Sequence, residues 1–219
     1  MDESRSDRKR RAILDAATTV FLSNGYLGTT VDEVAAVAAV SKPTIYKHFG
    51  DKRRLFVEVV AGTVDEVSDA VLAAVSGLVD TRNVEAELRE LAQRQLALVL
   101  RPRVIQLRRL VIGETSRFPE LGRTFYERGP GRTIAALSEA FSGLDARGAL
   151  RVADPVAAAT QFNWLVMSAP VNQAMLLGDD RMSTAAELGR HVEGAVRVFL
   201  AAYSPREDLS RDQDPGDKP

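Results

Sequence analysis

The chain has 219 residues, 45% of them hydrophobic, and a formal net charge of −1. That is enough apolar material for a real core, and the length leaves one large domain or two small ones open. Cysteine is absent, which excludes disulfides, thiolate catalysis and Cys-ligated zinc or iron–sulfur centres.

Near-neutral charge means that any nucleic-acid contact must come from a local basic patch. The charged start, MDESRSDRKRRA, lacks the apolar region of a secretory signal, and no run approaches the ~18 apolar residues of a membrane span. A cytosolic protein with no membrane partner is expected. Arg5, Arg8, Lys9, Arg10 and Arg11 stand with one acid, Asp7. The stretch reads either as a flexible basic arm reaching for phosphates or as a solubilising, disordered end. Ile13, Ala16, Ala17, Val20 and Phe21 then share one helical face, and Asn24-Gly25 ends that helix.

Residues 30–56 carry the most information. Thr30 and Glu33 have the spacing of a capping box, so a helix begins at Val31. Ser41 is an N-cap with Pro43 in the first turn behind it, and Gly50 stops the short helix that follows. Asp51 caps a third helix. Two short helices and a longer one make a helix-turn-helix pattern. The second short helix has DNA chemistry: between Ser41 and Arg54 lie Lys42, Lys47, Lys52, Arg53 and Arg54 against Asp51 alone. Thr44, Tyr46 and His48 are interleaved and can donate to phosphates or base edges. Ile45 and Phe49 are four apart and anchor the helix inward, turning Lys42, Thr44, Tyr46, Lys47 and His48 outward. A solvated basic face is the plainer alternative.

This segment resembles the DNA-binding domain of TetR-type bacterial regulators. Thr30, Val31, Val34, Ala35, Ala38, Val40, Ser41, Lys42, Thr44, Ile45, Tyr46, His48, Phe49, Lys52, Leu55 and Phe56 stand in register with that family's pattern. Ala39 departs from it, occupying a turn position that usually holds Gly. The resemblance implies DNA contacts from Thr30, Lys42, Pro43, Thr44, Tyr46, Lys47, His48 and Lys52. Thr30 and Lys52 start helices, where orphan N–H groups favour phosphate.

Beyond Lys52 the helical period continues through Leu55, Phe56, Val59, Val60, Thr63, Val64 and Val67 to about Ser76-Gly77, with a linker over 77–84. Leu88, Leu91, Ala92 and Val99 line the next helix until Arg101-Pro102 breaks it. Val104, Leu107, Leu110 and Val111 begin another, beside Arg101, Arg103, Arg108 and Arg109, which read as a solvated face or as partners of acids such as Glu114. Phe118, Leu121, Phe125 and Tyr126 make an aromatic helical face that Gly129-Pro130-Gly131 interrupts. The segment 113–132 resembles the C-terminal domain of the AefR-like branch of the same family. Asp154-Pro155 starts a long helix reaching Leu177, and Pro170 inside it denies the Val166 carbonyl its usual partner, so a kink is expected. Thr184 and Glu187 cap a last helix over 184–203, and the tail 205–219 reads as disordered.

The expected fold is all-α, with about nine helices. Residues 1–50 form a three-helix DNA-binding domain, its helix-turn-helix at 30–49. Residues 51–204 form a helical ligand-binding and dimerisation domain, with 51–76 as the connecting helix. No catalytic motif, metal-ligand spacing or cofactor fingerprint is found, so an enzyme is not expected. The reading is a DNA-binding transcriptional regulator, a repressor released from a pseudo-palindromic operator by a small hydrophobic effector. A DNA-binding architectural protein without a ligand, or an all-α enzyme, is the alternative. Partners would be double-stranded operator DNA, the effector and a second copy in a homodimer, at the bacterial nucleoid. The candidate effector pocket is Leu107, Val111, Phe118, Phe125, Tyr126, Asn163, Trp164, Met167 and Met175, where apolar and polar groups share a helical face.

Overall fold

The computed structural model describes residues 5–78, 80–178 and 183–205. The predicted tail beyond Pro205, and the Asp179-Asp180 end of the loop after Leu177, lie outside the described residues. Within them the chain is all helical, and no helix is long and apolar enough to cross a membrane. The order is α1 Arg5–Gly28, α2 Val31–Val37, α3 Lys42–Phe49, α4 Lys52–Val75, α5 Val84–Val99, α6 Pro102–Glu114, α7 Pro119–Tyr126, α8 Arg132–Ala146, α9 Pro155–Leu177 and α10 Ala185–Tyr203. A π-turn, Glu127–Gly131, joins α7 to α8 without a break, so these ten segments form nine rods.

Local chemistry sets the boundaries. Both capping boxes are complete: the Thr30 and Thr184 side chains accept from the Glu33 and Glu187 backbones, and each glutamate accepts from its threonine in return. Asp51, Asn83 and Asp154 cap α4, α5 and α9 through their side chains. Ser41 precedes α3, but its Oγ pairs with the Thr44 hydroxyl at 2.7 Å instead of capping the backbone. Gly50 and Gly178 have positive φ where helices end, and Gly25 has it at a kink inside α1, where the sequence predicts the end of the helix.

Two expectations need correction. Arg5–Arg11 belongs to α1 and is neither a free arm nor a disordered end, because nothing between it and Ile13 breaks the helix. Arg10 is tied down there, pairing with Glu58 at 2.7 Å and lying over the Phe49 ring. Gly129-Pro130-Gly131 widens a turn and does not end the helix. Proline has no N–H to give, and the wider π-turn absorbs the loss. Gly131 permits it, since a Cβ there would meet the Tyr126 carbonyl oxygen at 3.1 Å. The Val166 carbonyl, denied its backbone partner by Pro170, accepts instead from the His191 ring of α10 at 2.8 Å.

Two apolar cores meet along α4. One gathers α1–α3 with the first half of α4 through Val64, and takes Leu107, Val111, Phe118 and Leu121 from α6 and α7. The other is built from the second half of α4, starting at Val71, with α5, α8, α9 and α10 around Phe141, Phe162 and Phe199. A single helix therefore belongs to both.

Candidate nucleic-acid interface and ligand cavity

The turn between α2 and α3 presents a basic, hydroxyl-bearing face. Ile45 and Phe49 are buried, while Lys42, Pro43, Tyr46 and Lys47 are exposed and Thr44 and His48 half-buried. Lys42 pairs with Asp32 of α2 at 2.8 Å, and that hydrogen bond holds its pKa above the ordinary lysine value. The turn reverses through Ala39, at φ 51 the single non-glycine residue with positive φ among the described residues. Thr30 and Lys52 lie at the starts of α2 and α4. The Thr30 hydroxyl already donates to Glu33 at 2.9 Å. Lys52 is half-buried with Nζ 4.5 Å from the centre of the Tyr26 ring, and burial lowers its pKa.

Beneath this face the helix-turn-helix is locked to α7. Phe118 packs edge-on against Tyr26, with ring centres 4.7 Å apart, and Tyr26 meets Phe56 in turn. Arg53 and Arg117 flank Phe118, each guanidinium within 5.3 Å of the ring centre. Arg53 also bonds Glu120 at 2.6 Å. Packed rings and an ion pair thus connect the start of α7 with α1 and α4.

Behind the junction lies a cavity of about 40 Å³, between α4, α5, α6, α7, the π-turn, α8 and α9. Thr63, Val64, Val67, Ser68 and Val71 form its α4 wall. Opposite stand Gln95, Leu107, Arg108, Phe125, Asn163 and Met167. The Gln95 amide donates to Asn163 Oδ1 at 2.8 Å, deep in the interior. Arg108 lies over the Phe125 ring, 5.1 Å from its centre, and burial lowers its pKa. The π-turn is fastened to the α4 wall: Ser68 donates to the Arg128 carbonyl at 2.7 Å, and Arg128 and Arg132 pair with Asp65 and Asp69.

Of the residues expected at a pocket, the cavity brings together Leu107, Phe125, Asn163 and Met167. Val111 and Phe118 are buried in the N-terminal core instead. Tyr126 and Trp164 point outward, 54% and 41% exposed, and Met175 packs on the edge of the C-terminal core. The whole α4 wall, Gln95 and Arg108 were missed. Gln95 could have been noticed as the one polar residue in the stripe Leu88, Leu91, Ala92, Val99. Two arginines of α6 depart from expectation: Arg109 bonds the Met175 and Ala174 carbonyls at the end of α9, and Arg108 turns inward, whereas Arg101 pairs with an acid, Glu66, and Arg103 is exposed.

Comparison with known proteins places these features. Residues 13–59 match the family "Bacterial regulatory proteins, tetR family", and residues 86–205 match "AefR-like transcriptional repressor, C-terminal domain". A crystal structure of a TetR-family transcriptional regulator from Mesorhizobium loti is 40% identical, with 92% of this chain and all of that one superposed at a TM-score of 0.88. The flavonoid-responsive regulator FrrA is 29% identical over 92% of this chain and all of its own, at 0.75. The transcriptional activator FasR of Mycolicibacterium smegmatis is 38% identical over 76 residues, and the match spans only 35% of either chain. With family matches over both halves and a 40% identical structural relative along nearly its full length, the chain belongs to the TetR family of bacterial DNA-binding transcriptional regulators, with a C-terminal part of the AefR-like kind.

Proposed function

We propose that the chain is a homodimeric repressor that binds a pseudo-palindromic operator and leaves it when a small, mainly apolar effector enters the cavity. The observation that carries this reading is the double membership of α4. The helix that begins at Lys52, beside the recognition helix α3, becomes the cavity wall three turns later. An occupant pressing on Thr63–Val71 acts on the lever that positions α3, and the Phe118 junction gives α7 a second route. Such a switch needs a ligand that favours one of two arrangements. The family description as a repressor and the responsiveness of the regulator FrrA to flavonoids support the same reading. A ligand-free architectural DNA binder would have no use for a cavity between seven structural elements.

DNA contact is assigned to Lys42, Pro43, Thr44, Tyr46, Lys47 and His48 on α3, with Thr30 and Lys52 at phosphates. Selection from a random duplex library is expected to return an inverted repeat with half-sites about one helical turn apart. On the selected duplex, Lys52→Ala weakens binding and reduces the slope of log K against log salt by about 1. An unchanged slope removes Lys52 from the phosphate contacts. A selection returning no symmetry argues against the dimeric operator.

A further inference from the structure

Three buried side-chain polar atoms lack a hydrogen-bond partner among the described residues: Arg89 Nε, Gln95 Oε1 and Arg108 Nε. Two of the three, Gln95 and Arg108, line the cavity. A buried acceptor or donor left unpaired is costly. Arginine cannot escape by losing its proton. Arg108 makes no ion pair among the described residues, and its one stabilising neighbour is the Phe125 ring, itself part of the wall. No aspartate or glutamate lines the cavity, and the acids nearest along α4, Asp65 and Asp69, are engaged by Arg128 and Arg132. The remaining wall is mostly apolar, with Val64, Val67, Val71, Val99, Val104 and Leu107 beside the hydroxyls of Thr63, Ser68 and Thr133 and the Asn163 amide.

We propose that the cavity takes an amphipathic organic monoanion, whose carboxylate pairs with Arg108 and whose hydroxyl donates to Gln95 Oε1 while its apolar body lies against the α4 valines. A planar carboxylate matches the guanidinium fork. One cation in an apolar surround suits a single negative charge, where a phosphate dianion would be left half compensated. At about 40 Å³ the cavity is smaller than the ~300–1,000 Å³ of formed small-molecule sites, so the acid enters by moving the α4 wall away from the side chains opposite. This inference rests on the effector reading above and specifies the effector's class. An acid so placed neutralises Arg108 against Phe125 of α7 and fills the space beside Val64 and Val67 of α4. It therefore touches both routes to the helix-turn-helix.

The test uses the full chain and three acids, decanoate, cinnamate and p-coumarate, each beside its methyl ester. Melting temperature and calorimetric affinity are read. The proposal expects acids to raise Tm by roughly 5–10 °C at about 100 times Kd. Their esters bind about 30-fold more weakly or worse. The para-hydroxyl of p-coumarate strengthens binding over cinnamate by roughly 2–10-fold. Arg108→Met abolishes the preference for acid over ester while leaving the ligand-free Tm unchanged or higher, and Arg108→Lys keeps part of it. Esters that stabilise as well as acids overturn the anion assignment and leave the effector reading standing. An Arg108→Met variant that melts several degrees lower yet keeps its acid preference makes Arg108 a structural residue, and the proposal falls. A p-coumarate no tighter than cinnamate removes Gln95 from the site. If no member of the panel, acid or ester, raises Tm, the effector reading fails and this inference fails with it.

Discussion

Ala39 is the residue where sequence and backbone are in open conflict. The turn between α2 and α3 needs φ 51, and an L-residue with a Cβ is strained there. Its neighbours explain why the turn holds. Val40 N–H donates to the Ala35 carbonyl at 3.0 Å, and the Lys42–Asp32 pair ties α3 to α2 across the reversal. Relief is available by substitution. Ala39→Gly removes roughly 1–2 kcal/mol of strain and gives back part of it as unfolded-state entropy. A net stabilisation of about 0.5–1 kcal/mol is expected in urea unfolding, with the midpoint raised at unchanged m. A lower midpoint would show that the strain is illusory.

At the scale of elements, the helix ends follow from short-range chemistry, and pH probes them. Glu33 and Glu187 have depressed pKa values, chiefly because the backbone N–H groups of Thr30 and Thr184 donate to their carboxylates. A carboxylate whose folded pKa is lowered contributes stability that is present above its unfolded pKa and lost as pH falls through the folded one. Glutamine preserves the reciprocal cap and cannot titrate. Between about pH 6 and pH 3 the double variant Glu33→Gln/Glu187→Gln is therefore expected to lose less Tm than the wild type. Parallel Tm curves would mean that neither cap depends on ionisation. These boxes, Asp51, Asp154-Pro155 and Gly178 were legible because caps act over three or four residues. The features that were not legible depend on distant partners. Nothing near Pro170 in sequence announces that His191 accepts the role of donor to Val166. Nothing in an arginine-rich α6 says that Arg108 turns inward while Arg109 reaches α9. The cavity was half legible for the same reason: apolar spacing found Leu107 and Met167, but the α4 wall becomes a wall only when five other helices close around it.

For the whole molecule, the remaining question is what covers the outer faces of α9 and α10. Val156, Trp164 and Val198 are exposed there at 60%, 41% and 54%, on helices whose inner faces are fully engaged with Phe141, Phe162 and Phe199. Val156, Thr160, Trp164 and Ser168 recur every four residues, so they form one line along α9. Large apolar side chains exposed together on such a face, here Val156 and Trp164 with Val198 of α10, mark contact with another chain. A two-fold pairing of α9 and α10 with their symmetry mates would bury them as a four-helix bundle and set two α3 helices side by side. The dimer makes a specific demand on DNA affinity. With both half-sites held on one particle, engaging the second is intramolecular, which raises operator affinity by roughly 10²–10⁴ over a single half. Trp164→Glu/Val198→Glu places charges at the proposed seam while touching no buried residue. It is expected to sediment as a folded monomer with unchanged helical circular dichroism. Its affinity for a full inverted repeat should fall to that for one half-site, while a single half-site binds as before. A variant that remains dimeric would move the seam elsewhere on the molecule. One that is monomeric yet binds the full repeat undiminished would mean that each chain finds its half-site alone.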